Sequence, residues 1–140
     1  GLGYIREWLI QNHRIIASID LHVDTFQPRN GTQTSVLFLQ KKTAEQKARE
    51  AATGQMADYN IFMAMVERVG HDKRGNPLFK RDVEGNEILA PETDTIMVLG
   101  ETGEGGRTVS HERKSKVPDD QTTDVPAIFD GWKRREGIAW

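Results

Sequence analysis

The chain has 140 residues, 36% of them hydrophobic and 29% charged, with a net charge of −2 and a pI of about 6.1. It is long enough for one modest domain and short for a complete α/β enzyme. Its balance is not that of a bulk nucleic-acid binder, it has no cysteine for disulfides or thiolate metal sites, and no apolar run approaches membrane-spanning length.

The charge is uneven. Residues 1–42 hold five Lys/Arg and three Asp/Glu, and the remainder holds fourteen and eighteen, which supports at most a local contact with phosphate. The chain opens Gly-Leu-Gly without Met and without a basic region leading into an apolar one. We therefore expect no secretory signal and read the chain as a piece of a longer product.

Tyr4, Ile5, Trp8 and Leu9 form one apolar face at helical period, and Asn12, His13 and Arg14 suit a last helical turn. Residues 15–21 are mostly apolar and β-branched, the mark of a strand covered on both faces, and residues 35–39 repeat it. Between them residues 27–34, QPRNGTQT, are rich in turn formers, with Asn30-Gly31 the strongest short turn signal in the chain. Residues 43–56 predict a surface helix joining two strands. Thr43 and Gln46 fit a capping box, Glu45 stands four before Arg49, Gly54 marks a stop, and the apolar face is alanine alone.

Residues 59–69 hold a short apolar run whose period separates neither strand nor buried helix. It ends in the polar turn Gly70-His71-Asp72-Lys73-Arg74-Gly75, after which Leu78-Phe79 starts a hairpin partner. A second turn is expected at residues 84–87, and residues 95–99 read as a last strand. No internal repeat is visible. Residues 100–124 are polar and read as a linker. From Val125 a short helix is expected to Trp132, with Asp124 as its cap and Pro126 in its first turn. The aromatic residues of this tail, Phe129, Trp132 and Trp140, suit either docking on another surface or folding back on the chain's own core.

Two segments carry a resemblance. "REWL…N.RI.A.IDL..DTF.P..GT.TSVLFLQKK" over residues 4–42 and "YNIFMAMVERVGHDKRG" from Tyr59 resemble the C-terminal end of the catalytic domain of N6-adenine DNA methyltransferases, above all the modification subunit of type I restriction–modification systems. The matched part spans residues 4–42 and 59–79, about half of the chain. The resemblance implies an α/β fold, the last portion of a Rossmann-like S-adenosylmethionine-dependent methyltransferase: helix plus terminal antiparallel strand pair in residues 1–42, a connecting helix in 43–58, a hairpin extension in 59–99, and a polar linker with a short helix in 100–140. It implies as partners DNA, a specificity subunit and a second modification subunit, no membrane, and a cytoplasmic location.

Methylation of an exocyclic amine needs a Gly-rich strand-to-helix turn for the cofactor and an Asn/Asp-Pro-Pro-aromatic motif for the flipped base. In the resembling family both lie upstream of this unit, and neither is present here. We therefore assign no catalytic, cofactor or metal residue, and expect the chain alone to be inactive and to bind no S-adenosylmethionine. Asn76-Pro77-Leu78-Phe79 is a decoy that follows a charged turn instead of a buried strand. Residues 100–107, GETGEGGR, lack the Lys and Ser/Thr of a phosphate loop. His13, His22, His71 and His111 show no metal spacing beyond adjacent His71-Asp72, which reads as a solvated turn. Asp20 and Asp24, flanking His22, lie where a strand ends, but carry no chemistry alone. Asn30-Gly31-Thr32 fits a glycosylation sequon without any sign of secretion. The best candidate is the loop with Arg29, Asn30, Thr32, Gln33 and Thr34, a cation with amides and hydroxyls suited to phosphate or base edges. In the resembling family this loop lies near the face that receives DNA. The plainer role is that Asn30-Gly31 makes the turn and the threonines cap it. The reading from another class is a non-catalytic interaction module of the same assembly.

Overall fold

A computed structural model describes residues 1–98 and 105–138 of the chain. It is mixed α/β. Helix α1 (Gly3–Asn12) leads straight into strand β1 (His13–Asp20), so His13 and Arg14 belong to the strand and not to a last helical turn. A long loop follows, then β2 (Ser35–Lys41), helix α2 (Ala44–Thr53) and β3 (Phe62–Met65). Beyond them lie β4 (Leu89–Val98), β5 (Arg107–Lys116) and α3 (Val125–Glu136).

The first sheet has the order β2-β1-β3. β1 and β2 are antiparallel, with a bulge between Ile15 and Ala17. The Tyr59 hydroxyl takes the Ile15 N–H at 3.1 Å beside that bulge, which satisfies a donor that a regular ladder would have paired. β3 runs parallel to β1, Ala17 opposite Phe62 and Asp20 opposite Met65. Its run was expected to open a separate hairpin extension, whereas the structure joins it to the terminal strand pair in one sheet. A parallel neighbour needs a crossover, and β2 with α2 supplies it.

α2 follows its sequence signals. Thr43 and Gln46 close a reciprocal capping box, Arg49 meets Glu45 at 3.0 Å, and Gly54 ends the helix at φ 66°. The buried Lys42 ammonium anchors the helix to the sheet through Glu50 at 2.8 Å and the Ile10 carbonyl at 2.8 Å.

Register and strand alternation put Val36, Phe38, Ala17, Ile19, Phe62 and Ala64 on one face of the sheet. α3 covers that face at one end. Phe129 and Trp132 lie 5.3 and 5.6 Å from the Phe62 ring, so these two aromatics fold back on the chain's own core; Trp140 lies outside the described residues. α3 runs one turn beyond the expected end at Trp132, because Lys133, Arg134 and Arg135 suit its C-terminus and Gly137 stops it at φ 66°.

Two expectations change. Residues 107–116, read as part of a linker, form β5 and pair along their whole length with β4. The strand escapes notice because both its faces are polar. Arg113 reaches Glu92 and Asp94 at 3.1 and 2.9 Å across the ladder, and only Val109 is apolar, opposite Ile96. The remainder of the expected linker up to residue 104, with Leu99 of the last apolar run, lies outside the described residues.

The second change is a repeat. Asp72-Lys73-Arg74-Gly75-Asn76 and Asp82-Val83-Glu84-Gly85-Asn86 form the same turn ten residues apart. In each the Asp Oδ1 accepts two backbone N–H groups, the Asn amide returns to the Asp Oδ2, and the glycine has positive φ, 84° and 89°. The repeat is invisible to a search by hydrophobic pattern because only Asp, Gly and Asn recur.

Candidate nucleic-acid interface

β1 and β3 are parallel, so their C-terminal ends open on the same side of the sheet. In open α/β sheets that is where ligands gather. From β1 issues the loop 21–34, and from β3 the segment that reaches the turn at Asp72.

The loop is held at both ends. The Leu21 N–H donates to the Thr34 carbonyl at 3.0 Å. The Asp20 carboxylate accepts the Gln33 amide at 3.0 Å and the Ser35 hydroxyl at 3.1 Å. Asp20, considered above with Asp24 for its place at a strand end, thus holds the loop's return. His22 caps a short 3₁₀ helix (Val23–Phe26), its Nδ1 accepting the Asp24 N–H at 3.2 Å. A ring nitrogen that accepts carries no proton toward the Asp24 carboxylate 3.7 Å away, so that contact is not an ion pair in this tautomer.

Asn30-Gly31 is not the hairpin turn its sequence suggests. Gly31 has no positive φ, and the chain reverses over the 3₁₀ helix and residues 27–29. A fourteen-residue loop has no need of a two-residue turn. A Cβ at Gly31 would stand 2.7 Å from the Gln27 amide nitrogen, the end of a flexible side chain that can swing aside. Asn30 folds its Oδ1 onto the Thr32 N–H at 2.9 Å.

The five candidate residues therefore divide. Arg29, Asn30 and Thr32 are exposed, and Arg29 has no ion-pair partner among the described residues. Gln33 is engaged by Asp20, and Thr34 is half-buried with a hydroxyl that finds no partner.

The structure adds residues that the sequence kept apart. A Cβ on Gly75 would meet Pro28 Cδ at 3.7 Å, so the first repeat turn packs on the candidate loop. It brings the turn that carries exposed Lys73 and Arg74 against the loop that carries Arg29, and none of the three is ion-paired within the described residues. Hydrogen bonds from the Asn76 side chain and backbone, and from the Arg74 N–H, hold the Asp72 carboxyl below its usual range. Asn76, first residue of the Asn-Pro-Leu-Phe decoy, is likewise engaged in closing this turn. Exposed Phe26 ends the 3₁₀ helix within the same loop.

Elsewhere, a polar cleft of about 240 Å³ includes Arg14, Lys42, Arg49, Glu50 and Tyr59. Lys42 and Arg49 are paired with glutamates, and Arg14 stacks over the Tyr59 ring at 5.0 Å with its buried Nε unpartnered. An apolar groove of about 240 Å³ separates α3 from β2, between Phe38, Ile19 and Phe129. No group of three His, Asp or Glu among the described residues could hold a metal ion, and no described helix is long and apolar enough to cross a membrane.

No family model, curated protein or solved structure matches the chain.

Proposed function

We propose that the chain is the terminal part of the catalytic domain of an S-adenosylmethionine-dependent adenine DNA methyltransferase, of the kind that serves as modification subunit in type I restriction–modification systems. The parent activity is methyl transfer from S-adenosylmethionine to adenine N6 in cytoplasmic DNA. This part supplies the last strands of a Rossmann-like sheet and a loop beside the DNA. The cofactor turn and the Asn-Pro-Pro-aromatic motif lie outside it, so the chain alone is inactive. A specificity subunit reads the DNA sequence, and a second modification subunit completes the assembly.

The observation that carries this reading, beside the sequence resemblance, is how little of the chain is buried. Its accessible surface is 10940 Å², against about 7,300 Å² for a compact monomer of this mass. Only Ile16, Ala17, Phe62 and Val66 form a buried apolar core among the described residues. β2 is an open edge whose Val36, Leu37 and Phe38 are exposed on both faces, as are Tyr4 and Trp8 on α1. These are the surfaces that the preceding strands and helices of a methyltransferase sheet would cover.

One observation favours the interaction-module reading. The β4–β5 hairpin makes at most marginal contact with the other described helices and strands, and it exposes Ile96, Met97, Val98 and Val109. A lone two-stranded hairpin is marginal in water, so a partner subunit would stabilise it.

In-frame deletion of this segment from its gene, followed by mapping of N6-methyladenine in the host DNA, tests the proposal. Methylation is expected to vanish at one recognition sequence. Methylation unchanged at every sequence would refute it.

A further inference from the structure

We infer that Lys73 and Arg74 form, with Arg29, a clamp on the phosphate backbone of duplex DNA. The inference rests on the reading of residues 29–34 as a DNA-facing loop, and it adds a second element and a charge to that site.

The internal repeat is what separates these two cations from the scaffold that carries them. Both turns have the same Asp, Gly and Asn in the same hydrogen bonds. The two positions between Asp and Gly are Lys73-Arg74 in one and Val83-Glu84 in the other. The turn therefore forms without a cation at these two positions, although in the second copy Arg81 donates to the Gly85 carbonyl at 2.9 Å, and Val83 at 105% relative exposure shows that the first of these positions projects into solvent. Only the turn that packs on Pro28 carries the cations.

Arg29, Lys73 and Arg74 are exposed, whereas the carboxylates of the same two loops are engaged. Asp72 accepts the Arg74 and Asn76 N–H groups and the Asn76 amide, Asp20 accepts the Gln33 amide and the Ser35 hydroxyl, and Asp24 is half-buried in the 3₁₀ turn. Asn30, Thr32 and Phe26 lie exposed in the loop of Arg29. Exposed unpaired cations on two loops at one end of a sheet fit consecutive backbone phosphates, a contact that holds position without reading sequence.

The test is a fluorescence-anisotropy titration of the 140-residue chain with a labelled duplex of arbitrary sequence, about 20 base pairs long, at about 50, 100 and 200 mM salt. The decisive variant, Lys73→Val/Arg74→Glu, gives the first turn the residues of the second, which the fold already accommodates. Each lost phosphate contact removes about 0.9 from the slope of log affinity against log salt. The double variant should weaken binding by roughly tenfold or more at 0.1 M salt and reduce that slope by about 2. Lys73→Gln/Arg74→Gln, which adds no negative charge, should show most of the same loss. Placing the pair in the second turn, Val83→Lys/Glu84→Arg, should not restore binding. If Arg29→Ala weakens binding while the double variants do not, the clamp is overturned and the loop reading stands. If the parent chain binds no duplex, both fall.

Discussion

At the scale of single residues, the molecule's most informative feature is one carboxylate used twice. Asp72 and Asp82 each organise a turn by accepting N–H groups, and in each the carboxyl is held below its ordinary range, mainly by the following asparagine. A carboxyl with a lowered folded value stabilises the fold above its unfolded value, about pH 4. That contribution is lost as pH falls through the folded value. Thermal melts are therefore expected to be level above about pH 5 and to decline below pH 4, and Asp72→Asn should lower the midpoint at neutral pH while shrinking the acid-side decline. An unchanged acid-side decline would show that the turn does not depend on the charge. The sequence marked residues 70–75 as a polar turn correctly. It did not disclose that this turn packs on Pro28, because contact between segments 47 residues apart depends on the parallel register of β1 and β3 and not on any local signal.

At the scale of elements, legibility follows how local each cause is. α2 was readable to its caps because capping is settled within four residues. β5 was not, since RTVSHERKSK has no apolar alternation and becomes a strand only through its pairing with β4 and the Arg113 ion pairs. β3 was ambiguous for the opposite reason, a run apolar on every side. Its Phe62 is the seat of α3 through Phe129 and Trp132. Phe62→Ala is expected to cost about 3–4 kcal/mol and to release α3. The check is denaturant unfolding together with hydrogen exchange over residues 125–136, which should lose protection ahead of β1. Protection retained in α3 would mean that another contact holds it. α1 shows the limit of periodicity: its apolar face was visible in sequence, yet Tyr4 and Trp8 stay exposed, Trp8 meeting only the His13 ring at 5.4 Å among the ring contacts of the described residues.

At the scale of the whole molecule, exposure and charge point the same way. The open β2 edge, the uncovered helix face and the standing hairpin are the surfaces that the proposed assembly would cover. Three of the chain's exposed cations, Arg29, Lys73 and Arg74, lie on the two loops that follow β1 and β3. The α/β class was legible in residues 1–42, while the neighbourhood of the candidate loop, with the turn at Asp72 beside it, emerged only from the way the sheet is put together. The measurement that bears most directly on the central proposal is calorimetric titration of S-adenosylmethionine, first into this chain alone and then into the chain joined to the residues encoded upstream of it. The account predicts no heat at millimolar ligand for the chain alone and saturable micromolar binding for the longer product. Saturable binding by the chain alone, or by neither, would contradict it.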